Sequence, residues 1–197
     1  MKLSLAIAPL LLIASSLLVG CADAEDASVA VPDGELDPQA SVHLKGGKRS
    51  APTFVDSGLT LSALGSLSGL GNGDIVVNLS AVGQPHATCA NPGSGAHEPA
   101  GQNPVEVTLT GTQAIPSSEI KNGSVQFSLS SGAPDQPVGA PDCPSSQWTE
   151  TIHDVSFSSA TIIVTQGGST VLSLGCTFSP ATSDGPVDRQ AVTCQKL

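Results

Sequence analysis

From residue 51 onward apolar side chains tend to recur at every second position, and no stretch of any length holds a helical period. Val105-Glu106-Val107-Thr108-Leu109-Thr110 and Val125-Gln126-Phe127-Ser128-Leu129-Ser130 alternate cleanly. Each therefore offers one face to a core and the other to water. Runs rich in Val, Leu, Ile and Thr cover 53–63, 74–82, 149–155, 160–166, 170–178 and 190–194. Turn chemistry separates them. Gly167-Gly168 closes a hairpin, and Asn72-Gly73 predicts another between the first two runs, because both residues tolerate positive φ. The 115–123 connection opens on Pro116 and closes on Asn122-Gly123, as a loop or one helical turn would. Seven to nine short strands of this kind specify an all-β fold, an antiparallel β-sandwich that is Ig-like or related.

Cysteine usage narrows the compartment. Apart from Cys21, the chain carries Cys89, Cys143, Cys176 and Cys194. An even set in an exported chain implies two disulfides and an oxidising environment. No Cys-x-x-Cys pair supports redox chemistry or a zinc ribbon. Cys176 and Cys194 flank the turn at Pro180–Pro186, which suits a local cross-strand bridge. Cys89 and Cys143 each border a loop rich in Pro and Gly. The expected pairs are Cys89–Cys143 and Cys176–Cys194, although four cysteines allow three connectivities and spacing alone leaves the others open.

At the other end of the chain, Leu18-Val19-Gly20-Cys21 closes an apolar run that begins at Leu3. It resembles the lipobox of bacterial lipoprotein precursors. The resemblance implies a signal peptide over 1–20, cleavage before Cys21, and diacylglycerol on its sulfur as a membrane anchor. Ala22-Asp23-Ala24 offers the alternative of ordinary secretion. Pro9 and the acidic sequence that follows make the run a poor permanent membrane span. Residues 21–52 hold Asp23, Glu25, Asp26, Asp33, Glu35 and Asp37 among Ala, Pro and Gly, the composition of an acidic flexible tether. His43, Lys45, Lys48 and Arg49 read as solvated linker. The sandwich domain is expected over 53–197. A formal net charge of -10 disfavours nucleic acid as a partner, since phosphates would be repelled.

A second resemblance rests on several short series. They are Cys89-Ala90-Asn91-Pro92-Gly93, Pro99-Ala100-Gly101-Gln102-Asn103-Pro104 and Ile115-Pro116-x-x-Glu119-Ile120-Lys121-Asn122-Gly123. With them go Cys143-Pro144, Trp148-Thr149-x-Thr151-Ile152-x-Asp154 and Phe157-Ser158-Ser159-Ala160-Thr161. Over residues 58–166 the chain is similar to an uncharacterised family of small secreted bacterial proteins. The resemblance implies an exported β domain and carries no activity. The lipobox and acidic tether depart from that family's freely secreted members.

No residues compose a catalytic constellation. His97-Glu98-Pro99-Ala100-Gly101 opens like a zincin motif but ends on Gly, and Pro99 spoils the helix it needs. No Gly-x-Ser-x-Gly elbow occurs. His86, His97, Glu98 and His153 could hold zinc or copper only if the loop after Cys89 folded back. Asp135, Asp142 and Asp184 lack a regular calcium spacing. Trp148 alone cannot form an aromatic sugar platform. No cofactor or metal is expected. The two longest strand-free stretches, 91–103 and 131–147, would meet at one end of the sandwich if Cys89 joined Cys143. His97, Glu98, Gln102, Asp135, Asp142 and Trp148 are then the candidate binding surface. The preferred function is a non-catalytic interaction or structural module of the cell envelope. An extracytoplasmic ligand- or metal-binding protein is the alternative, and an enzyme comes third.

Overall fold

A computed structural model describes residues 42–46, 50–93 and 104–197. Among these, ten strands form two antiparallel sheets. Two strands are far longer than the rest: β4 (Ile75–Ala90) and β7 (Thr149–Gln166). They pair along their whole length, from Ile75↔Gln166 to Ala90↔Thr149. β5 (Val107–Ile115) lines β4 on its other side, and β8 (Ser169–Phe178) lines β7. β10 (Val192–Lys196) then pairs with β8, giving the order β10-β8-β7-β4-β5.

The second sheet is built on β3 (Leu61–Ser68). β6 (Ser124–Ser130) runs along one side of it, while β1 (His43–Leu44) and β2 (Thr53–Asp56) share the other. β9 (Gly185–Pro186) adds to β2. Alternation makes one face of each sheet apolar, and these faces supply one core. Phe54, Leu61, Leu67 and Phe127 come from one sheet, and Ile75, Leu79, Ile162 and Val164 from the other. Phe54 meets Phe178 edge-to-face across the core with centroids 5.0 Å apart.

Both disulfides form as expected, Cys89–Cys143 and Cys176–Cys194. Cys176 and Cys194 are direct partners in the β8–β10 register. The two bridges fit an oxidising, extracytoplasmic compartment.

Several boundaries differ from the sequence expectation. The strand count is ten rather than seven to nine because β1 and β9 are two-residue strands without a pattern to read. The run at 53–63 is two strands, broken by a turn at 57–60 where Gly58 takes φ +76°. Asn72-Gly73 does not make a hairpin: β3 and β4 lie in different sheets, and the crossover uses Gly69 at φ +84°. The runs at 149–155 and 160–166 are one strand, β7, and β4 continues through Pro85. Register shifts after Val82 and His86 interrupt the alternation without ending the strands, as β-bulges do. Folded structure also starts before residue 53, since Val42 and Leu44 are buried in the core.

One side of the sandwich closes where β5 meets β6 and the residues after it. Ser128 N donates to Gln113 Oε1, and Gly132 N donates to Thr110 O. The approach is close enough that a Cβ on Gly111 would lie 2.0 Å from the Ser130 carbonyl oxygen. Gly111→Ala should therefore force the sheets apart and destabilise by about 1–3 kcal/mol, the range for overpacking. Chemical denaturation of the variant against wild type measures the effect, and an unchanged midpoint would contradict this packing.

Candidate functional site

Inward-facing positions of β2 alternate, so Asp56 falls on the same face as Phe54. The residue is only 2 % exposed. A carboxylate in such a place needs hydrogen-bond donors. Gly58 N donates to Oδ1 at 3.0 Å, and the Thr182 hydroxyl donates to Oδ2. Thr182 is buried too, and it binds β7 twice: Phe157 N donates to its Oγ1 at 2.8 Å, and its own N donates to Phe157 O at 2.9 Å. Asp56 thus links β2 to β7 through the segment 179–187.

Two further acids converge there. Asp154 comes from β7 and Asp184 from the turn before β9, and one oxygen of each of the three carboxylates lies within 4.8 Å of the others. Asp184 is exposed and Asp154 half-buried, yet Asp154 Oδ1 is itself buried and has no hydrogen-bond partner. Burial pushes the Asp56 carboxyl above its ordinary 3.8. The Thr182 hydroxyl and Gly58 amide pull it back, and the charges of Asp154 and Asp184 push it higher. Three oxygens so placed can share a proton or face a hard cation.

A second arrangement surrounds the first disulfide. Cys89 ends near the last residues of β4, opposite Glu150 of β7, and Cys143 ties the strand-free segment 131–148 to it. Glu150 is buried, with Oε2 accepting from Asp142 N at 3.0 Å and Oε1 unpartnered. Earlier in the segment, the Gln136 amide pairs with Ile152 like a neighbouring strand, donating to its carbonyl and accepting from its N–H. Asp135 is exposed on this segment, Asp142 and Trp148 are half-buried, and Val138 is 95 % exposed. Asp135, Asp142 and Trp148 therefore share one continuous stretch. His97, Glu98 and Gln102 lie outside the described residues, as does Cys21.

Among the described residues, His86 and His153 join no cluster of metal-ligating side chains. They are exposed and satisfied by hydroxyls, His86 Nε2 with Ser156 Oγ at 2.9 Å and His153 Nε2 with Thr88 Oγ1 at 2.6 Å. Sequence reasoning weighed Asp184 alone and missed Asp56 and Asp154. An acid at a core-facing strand position was the signal for Asp56. A concave region of about 380 Å³ over Thr53, Leu64, Gln126 and Ser128 is an open depression. No protein-family model, curated protein or solved structure matches the chain.

Because the folded pKa of Asp56 is raised, its contribution to stability is complete below 3.8 and is lost as pH rises through the folded value. Asp56→Asn should flatten the fall in Tm above about pH 4 relative to wild type. Thermal unfolding of both proteins across that range tests this, and parallel curves would contradict it.

Proposed function

We propose that the chain is an exported, non-catalytic interaction or structural module of the cell envelope, held at a membrane by lipid on Cys21. The observation that supports this reading is the segment 131–148. Strand-free stretches of that length are uncommon in compact domains unless they bind something or stay disordered. This one is ordered: Ser131, Gln136, Asp142 and Cys143 each fasten it to the sandwich. Fastening a loop beforehand lowers the entropy that binding must remove. Val138 then stands out from it as an apolar contact beside acidic Asp135 and Asp142.

The Leu18-Val19-Gly20-Cys21 series supports the anchor, and the two disulfides agree with export. Cells carrying Cys21→Ser should release the protein into the soluble fraction while wild type stays with membranes. Equal fractionation would remove the anchor from the reading. For the surface, cross-linking in intact envelopes should give partner adducts with wild type. Val138→Asp should reduce them about tenfold, the loss of roughly 1.4 kcal/mol of contact. Undiminished adducts would place the interaction elsewhere.

A further inference from the structure

We propose that Cys89–Cys143 is a reversibly reducible disulfide, with Glu150 as the proton partner of Cys89, and that its exchange sets how firmly the 131–148 segment is held. The effect on binding rests on the reading of that segment as a contact surface, whereas the exchange itself involves no envelope partner.

Glu150 is only 4 % exposed, and its Oε1 is buried without a hydrogen-bond partner. A buried polar atom left unpaired is costly and calls for an explanation, a redox role among them. Cys89 stands directly opposite Glu150 in the β4–β7 register, so the two buried side chains share a face. Residues paired in this way have Cβ atoms about 4.5–5.5 Å apart. Asp142 touches both. Its N–H donates to Glu150 Oε2 at 3.0 Å, and its carbonyl oxygen lies 4.0 Å from Cys89 Sγ. In the disulfide, Cys89 Sγ has no hydrogen to give. As a thiol it has one, and Oε1 is the acceptor beside it.

Burial also orders the steps. Cys89 is fully buried and Cys143 half-buried, so the thiolate of an external dithiol reaches Cys143 Sγ. A new S–S bond forms there, the Cys89–Cys143 bond breaks, and the electron pair goes to Cys89 Sγ. Cys89 takes up the proton that the attacking thiol released and donates its S–H to Oε1. The second thiol of the reductant then displaces Cys143 Sγ, which leaves as a thiol with the second proton. The dithiol becomes a disulfide, and two electrons and two protons reach the protein. Reoxidation is the reverse, with Oε1 receiving the Cys89 proton. The other disulfide has no such neighbour, since Cys176 stands opposite Ala160 on β7. Reduction removes a covalent tie between residues 54 apart but leaves the Gln136–Ile152 bonds in place. It therefore loosens 137–148 and spares 131–136.

Equilibrating the purified chain in dithiol redox buffers, then labelling thiols and mapping peptides, tests the assignment. Glu150→Gln keeps one oxygen for the Asp142 N–H and leaves none for Cys89. Cys89–Cys143 should therefore be harder to reduce in that variant by at least about tenfold in equilibrium constant, or about 30 mV. Cys176–Cys194 should not move. In wild type, amide exchange over 137–148 should speed up on reduction while that of Ile152 stays slow. Equal potentials in the two proteins would overturn the proposal, as would a variant disulfide that is easier to reduce or an equal shift at Cys176–Cys194. Unchanged exchange over 137–148 would overturn the loosening. Should Glu150→Gln fail to fold, the infrared spectrum of reduced wild type decides. Its Cys89 S–H stretch should lie below that of a free thiol, because donating to a carboxylate weakens the bond, and a free-thiol frequency would contradict the pairing.

Discussion

Every backbone N–H and C=O removed from water must find a partner, and the β4–β7 pair makes that requirement hard to meet. These strands outrun their neighbours. β8 covers β7 only from Ser159 to Gln166, and β5 covers β4 only from Ile75 to Gly83. Beyond those points other parts of the chain are recruited. Thr182 pairs with Phe157, Gly58 O accepts from Val155 N, and Gln136 pairs with Ile152. The three substitutes sit in order along the strand and come from three different connections. The positions of the 57–60 turn, the 179–187 segment and the 131–148 loop all follow from this one uncovered edge.

Both sites described above are consequences of that edge. Thr182 can complete β7 only if its hydroxyl has an acceptor, and Asp56 supplies it from the opposite sheet. The carboxylate is thereby buried, and Asp154 and Asp184 arrive beside it because their segments lie against the same stretch of β7. Further along, Gln136 and Glu150 hold the 131–148 segment to β7 while Cys143 fastens it to β4. Satisfying the backbone thus yields an acid cluster on one side and a stiffened exposed loop at the end. The disulfides reinforce both regions: Cys176–Cys194 closes the chain that carries Asp184, and Cys89–Cys143 closes the chain that carries Gln113 to Asp142.

Much of the fold was legible because it depends on local pattern. Alternation over Val125–Ser130 and the glycine pair at 167–168 identify strands and a hairpin that the structure contains. The disulfide pairing is the one that the flanking turns favoured, although spacing alone left two other connectivities open. What local pattern could not carry was the sheet to which each strand belongs. Asn72-Gly73 has hairpin chemistry, yet the chain crosses between sheets there, and the Gln166 side chain binds Gly71 and Gly73 instead. The runs at 74–82 and 149–155 stop short of the strand ends because bulges shift the period between β4 and β7 there. The acid cluster was hidden for a different reason. Asp56 and Thr182 are separated by 126 residues, and nothing in either neighbourhood points to the other.

Amide hydrogen exchange, read residue by residue, tests the dependence on the β7 edge. Ile152, Val155 and Phe157 have no strand beside them on that edge, yet their N–H groups are bonded to Gln136, Gly58 and Thr182. They should exchange nearly as slowly as Ile162, which lies between β4 and β8 and opens only with the core. Exchange at these three amides as fast as at an exposed loop would mean that the edge is open, and that the segments described here are not held by it.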